Sequence, residues 1–184
     1  MYEGNNPIAI QSQNWLIDAL LSLMKEKPYK KISIRDICDK ADLSRQTFYN
    51  CFKGKDDILR FCLKQGCKAM FQELATKKNL KMKDITDSFS VFSVENAVLL
   101  QLMLDHHLEN IITDELSTSI SACAAKSTPD TETHACTYGI AFFTGALTRV
   151  LFCWLQEPQR ISSEELSKLL LEIFSGNYYN LDLT

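Results

Sequence analysis

Apolar residues recur at helical spacing along most of the chain, and the helix breakers fall between the stretches that carry this period. From Gln11 to Lys27 the residues Trp15, Leu16, Ala19, Leu20, Leu23 and Met24 form one stripe of an amphipathic helix, which Pro28 stops. A short helix is predicted over Ile34–Ala41, because Ser33 can cap it and Ile34, Ile37, Cys38 and Ala41 share a face. Asp42 and Leu43 make a turn, and Ser44 caps a third helix reaching Cys51, with Leu43, Phe48 and Phe52 facing inward. Gly54 breaks it. Asp56 and Asp57 then suit the positive end of a longer helix whose stripe is Ile58, Leu59, Cys62, Met70, Phe71 and Leu74.

Beyond a polar break at Lys77–Lys83 the pattern changes. Val98–Leu104 is apolar except at Gln101, which predicts a helix enclosed by others. Ile111–Ala125 reads as a helix and Lys126–Asp130, with Pro129, as a loop. A long helix follows from Glu132 to Glu157, and Pro158 ends it. Ser162 and Glu165 form a capping box for a last helix, Ser163–Phe174, with the stripe Leu166, Leu169, Leu170, Ile173 and Phe174. The reading is all-α, with about nine helices and with boundaries left open between residues 84 and 125.

The 184 residues are 46% hydrophobic and 23% charged, which excludes a disordered chain and leaves an interior large enough for an apolar core. The longest uncharged stretch, His134–Thr148, is shorter than a bilayer span, and Met1–Gln13 lacks the pattern of a secretory leader. A cytoplasmic protein without a membrane partner is expected. Of seven cysteines (38, 51, 62, 67, 123, 136, 153) none forms a C-x-x-C pair, so they read as reduced core residues. The net charge of -3 is unevenly distributed: residues 1–62 carry +2 and residues 63–184 carry -5. A division into a basic head (1–62) and an acidic body (63–184) follows, and a basic head suits nucleic acid.

The head carries a motif that sharpens this. Ser33–Phe52 places two short helices around a tight turn after a bracing first helix, the pattern of a helix-turn-helix. The second of them presents Arg45, Gln46, Thr47, Tyr49 and Asn50, with Ser44 at its cap, a set able to read base edges and hold phosphates. Ser33, capping the preceding helix, joins this set. Lys55, at the next helix N-terminus, is expected to meet a phosphate.

Residues Ile10–Phe61 resemble the DNA-binding domain of the TetR family of bacterial transcriptional regulators. The run LSRQTFYNCFKGKDDIL is the most telling part, through Leu43, Ser44, Thr47, Tyr49, Phe52, Lys55 and Asp56. Asp42 stands where the family often has Gly, and Asn50 and Cys51 replace its common His and aromatic. The resemblance implies a three-helix head, a ligand-binding and dimerising body, and two subunits docking on a near-palindromic operator in double-stranded DNA. It implies a homodimer packed through the last two helices, for which Gly139, Gly145 and Ala146 allow close approach and Phe142, Leu151, Trp154, Leu166, Leu170 and Ile173 supply area. A pocket for a small apolar effector is expected from Phe89, Phe92, Leu99, Leu100, Met103, His107, Phe142 and Phe143. The chain also looks similar to the dihydroxyacetone-kinase activator branch, whose members take their signal from a partner protein. That leaves a transcriptional activator with a partner-sensing body as the alternative, and a helical adaptor without DNA binding as a third.

Other chemistry is not indicated. His106 and His107 are adjacent and point about 100° apart on a helix, and His134 and Cys136 are distant in sequence, so a metal site is not expected. G-x-S-x-G, H-E-x-x-H, G-x-x-x-x-G-K and G-x-G-x-x-G are all missing, so neither an enzyme nor a cofactor is expected.

Overall fold

The computed structural model describes residues 6–77, 79–127 and 134–176, with side chains omitted at 123–127 and 134–136. Among the described residues it is all-helical: α1 Pro7–Glu26, α2 Ile34–Ala41, α3 Arg45–Cys51, α4 Lys55–Ala75, α5 Met82–Glu95, α6 Ala97–Asp105, α7 Glu109–Ser127, α8 His134–Gln156 and α9 Ser163–Phe174, with a 3-10 turn at Tyr29–Lys31. The side chains of Cys123, His134 and Cys136 lie outside the described residues, as does the 128–133 part of the expected loop. Lys126 and Ser127 belong to α7.

The backbone clusters into two compact units. The first holds the chain up to Lys64 together with Gln101–Glu115, and the second holds Gln65–Leu100 and the chain from Leu116 onward.

In the first unit α1 packs on α2 and α3, and α2 packs on α3. Leu16, Leu20, Ile37, Phe48, Phe52, Ile58 and Leu59 are fully buried there. α1 starts four residues before the sequence stripe, because Asn6 accepts the Ile8 N–H at 3.0 Å and Pro7 occupies N1. Ile8 and Ile10 are exposed in that extra turn, so they add nothing to the apolar period. Leu16, Ala19, Leu20, Leu23 and Met24 of the expected stripe are buried, but Trp15 is 46% exposed, while Ser12 and Gln13 are buried. α2 is closed at both ends. Ser33 and Asp36 form a full capping box, and Asp42 takes the left-handed conformation (φ 53°, ψ 42°), letting the Leu43 N–H reach the Cys38 carbonyl at 3.0 Å.

The segment at residues 101–115 contributes His106. Its Nε2 lies 2.7 Å from the Met24 carbonyl oxygen, and its Nδ1 accepts the Tyr29 N–H at 3.3 Å. Donation from Nε2–H to Met24 and acceptance at Nδ1 define the neutral tautomer that fits both contacts. His106 is therefore a structural bridge at the end of α1.

In the second unit α5 lies along α9. Ser167 of α9 donates to Asp87, and its hydroxyl also meets that of Thr86 at 3.1 Å. Gly66 permits a close approach of α4 to α5, since a Cβ there would stand 2.9 Å from the Asn96 side chain and 3.0 Å from the Phe92 ring. α9 opens with the expected Ser162–Glu165 capping box. The expectation that Val98–Leu104 is enclosed fails at one end: Leu100, Met103 and Leu104 are buried but Val98 is 76% exposed. Within α8, Thr137–Gln156 has mean hydropathy 1.4 and is long and apolar enough to cross a membrane by length and composition. The uncharged stretch His134–Thr148 ends at Arg149, which lies inside this longer apolar segment. Buried core helices pass the same test, and Leu147, Leu151, Trp154 and Leu155 of this segment are buried.

Candidate nucleic-acid interface and apolar cavity

α3 is seven residues long and held from behind by aromatic rings. Phe48 is fully buried, meets Tyr49 edge-on at 5.5 Å and lies 6.3 Å from Phe52, which in turn packs on Phe61 at 5.9 Å. This anchoring leaves Arg45, Gln46, Tyr49 and Asn50 exposed on the other side, Tyr49 by 56%. Gln46 Nε2 donates to Asn50 Oδ1 at 3.1 Å, one helical turn on, so the two amides form one unit with a free carbonyl edge and a free amine edge. Paired amides of this kind can meet adenine, and an unencumbered guanidinium can meet guanine.

Two of the predicted contact residues are occupied by capping. Ser44 Oγ accepts the Thr47 N–H at 3.0 Å and shares a hydrogen bond with Thr47 Oγ1 at 2.9 Å, so Thr47 is half-buried against its own cap. Ser33 Oγ accepts the Asp36 N–H at 3.1 Å and donates to Asp36 Oδ2 at 2.9 Å. Asp36 in turn meets Lys27 at 2.9 Å, and these partners, led by the Ser33 backbone N–H, hold its carboxyl down at about 2.

Lys55 corrects the expectation most clearly. Its ammonium donates to the carbonyls of Tyr29 (2.7 Å) and Ile32 (2.8 Å) and stands 4.3 Å from the centroid of the Tyr29 ring. Burial pushes its pKa down. Two of its three donors are committed to the carbonyls of Tyr29 and Ile32, so its observed role is to brace the head. The exposed cations that sequence reasoning overlooked are Lys30, Lys31 and Lys53, which flank the α2–α3 pair in sequence. The K-K pair after Pro28 was the available signal.

Residues 16–61 match the family described as bacterial regulatory proteins, tetR family. That segment, from α1 into α4, is similar to the N-terminal region of TetR-family proteins. The TetC protein of transposon Tn10 from Escherichia coli is 30% identical over 97 residues, 53% of this chain and 43% of that protein. The transcriptional activator DhaS of the dhaKLM operon from Lactococcus lactis is 30% identical over 94 residues, 51% of this chain and 43% of that protein. The aligned part thus spans less than half the length of these relatives. The crystal structure of Lin0861 from Listeria innocua has the same fold, at a TM-score of 0.80 and 19% identity over 96% of both chains.

The second unit contains a cavity of about 320 Å³. Phe89 and Phe143, both predicted, line it, with Met70, Phe71, Leu74, Leu80, Ile85, Leu116, Ile120, Gly139, Ile140, Thr144 and Leu147. The other predicted pocket residues lie elsewhere. Phe92, Leu100 and Met103 are at most 2% exposed and serve as core, and Leu99 is half-buried. His107 is exposed at a left-handed turn (φ 57°), and Phe142 is 64% exposed. They failed because α5 and α8 present one residue in three or four to the cavity, and α4 and α7 supply much of the rest of the wall.

The proposed dimer surface divides in the same way. Leu151, Trp154, Leu166 and Leu170 are 0–4% exposed, so their area is already used within the protomer. Trp154 donates from Nε1 to the Ile161 carbonyl at 3.0 Å and carries Arg160 over its ring. Gly139, Ala146 and Ile173 are half-exposed, and Phe142 and Gly145 are exposed. The exposed stripe of α8 is Tyr138, Phe142, Gly145, Arg149 and Cys153, at helical spacing.

Proposed function

We propose that this regulator binds a near-palindromic operator as a homodimer, placing α3 of each copy in a major groove, and that a small apolar effector in the body sets its DNA affinity. The observation that carries the reading is the face of α3: Arg45, Gln46, Tyr49 and Asn50 exposed together on a helix anchored by buried Phe48. In this reading Lys30, Lys31 and Lys53 hold phosphates. The exposed α8 stripe, with Tyr138 and Phe142 more than 60% exposed, supports pairing of two copies through that helix. The cavity supports a small-molecule effector acting by preferring one of two body packings.

Selection of duplexes from a random library across a salt series tests this. Enrichment of a near-palindrome, with a binding slope that steepens with the number of phosphates neutralised, is the expected result. A single unpaired half-site, or no enriched sequence, would sink the dimeric-operator reading. The partner-sensing activator is the second reading, favoured by the likeness to DhaS. It predicts that no small molecule shifts operator affinity, whereas a purified partner protein does.

A further inference from the structure

Thr144 of α8 lines the cavity, is 4% exposed, and its Oγ1 has no hydrogen-bond partner among the described residues. The residue one turn later shows what a helix ordinarily does with such a group: Thr148 Oγ1 donates to the Thr144 carbonyl at 2.7 Å. Ser90 Oγ is also buried and unpartnered, but it does not line the cavity. A buried hydroxyl without a partner costs free energy that the same-shaped valine would avoid. Around it the described lining residues are aliphatic or aromatic apart from Gly139 and the thioether of Met70, and none carries a charge.

We infer that the cavity binds an uncharged molecule of mainly apolar body bearing one hydrogen-bonding oxygen, an alcohol or ketone, and that Thr144 Oγ1 anchors that oxygen. This rests on the small-molecule reading above and adds the ligand's chemical class. Among the described lining residues an ionised carboxylate or ammonium finds no counter-charge, so the neutral form of a ligand is favoured over its charged form.

A matched series of probes tests the inference: 3-phenylpropan-1-ol, 3-phenylpropanoate and propylbenzene, titrated calorimetrically into the full-length protein and its Thr144→Val variant. The alcohol is expected to bind the parent protein most tightly and the carboxylate not measurably. Thr144→Val should weaken the alcohol about tenfold, leave propylbenzene within twofold, and raise the melting temperature of the free protein. Carboxylate binding as tight as the alcohol's, an alcohol affinity unchanged by Thr144→Val, or no binding of any probe overturns the inference. Operator affinity measured with saturating alcohol separates the two claims. Thr144-dependent binding that leaves operator affinity unchanged upholds the ligand class and overturns the effector reading.

Discussion

The Lys55 ammonium stands 2.7 Å from the Tyr29 carbonyl oxygen and 4.3 Å from the centre of the Tyr29 ring, 26 positions away in sequence. The same tyrosine donates its hydroxyl to Asp56 and its backbone N–H to His106. Burial and that carboxylate push the Tyr29 phenol's pKa far up. Tyr29 is the point at which the end of α1, the start of α4 and His106 are tied together. The cationic role of Lys55 is thus internal to the head.

Lys55→Ala should destabilise the head by about 2 kcal/mol, the scale of hydrogen bonds from a charged donor. Urea unfolding measures this. At temperatures where the variant is folded, the slope of log DNA affinity against log salt should match the parent's. A slope reduced by about one with unchanged stability would return Lys55 to the phosphate-binding set.

Arg45→Ala and Gln46→Ala should each cost about 1–3 kcal/mol on the preferred operator and much less on random duplex. Asn50→Ala removes the partner of the Gln46 amide, so its effect should not add to that of Gln46→Ala. Competition binding with single and double variants on both DNAs reads this. Equal losses on specific and random DNA would show that these residues only hold the backbone.

Asp36 gives the head an acid dependence of known sign. Its carboxyl is held at about 2, below its ordinary 3.8, so the unfolded chain binds the proton more readily. The stabilisation is complete above about pH 4 and is lost as pH falls from there through about 2. Denaturant midpoints followed over that window should fall in the parent protein. In Asp36→Asn the fall should be shallower, starting from a lower midpoint at neutral pH.

Trp154→Ala and Phe142→Asp should separate folding from assembly. Trp154 is 4% exposed and hydrogen-bonded to Ile161, so its removal should cost about 3–5 kcal/mol of stability. Phe142 is 64% exposed, and a charge there should leave the protomer folded while weakening self-association at least tenfold. Sedimentation equilibrium beside thermal melts distinguishes the two. A Phe142→Asp protein that sediments as the parent does would remove the α8 stripe from the interface.

Local signals carried much of the head and the last helix. Ser33, Ser44 and Ser162 cap the helices they were expected to cap, Asp42 turns left-handed between α2 and α3, and Ser163–Phe174 has the predicted ends. Each depends on a hydrogen bond or backbone preference within four residues, which a linear sequence displays directly. The exposed face of α3 was legible for the same reason: Phe48 and Phe52 had to go inward, so Arg45, Gln46, Tyr49 and Asn50 had to point out. Tertiary structure alone decided what depends on partners far along the chain. It committed Lys55 to Tyr29, turned Trp15 outward and Ser12 and Gln13 inward, and enclosed Trp154, Leu166 and Leu170 while leaving Tyr138 and Phe142 largely exposed to solvent. It also placed Thr144, one hydroxyl among many in the sequence, unpartnered at an apolar cavity. A helical period shows that a stripe is apolar, but which neighbour covers each residue of that stripe is set by the packing of several helices at once.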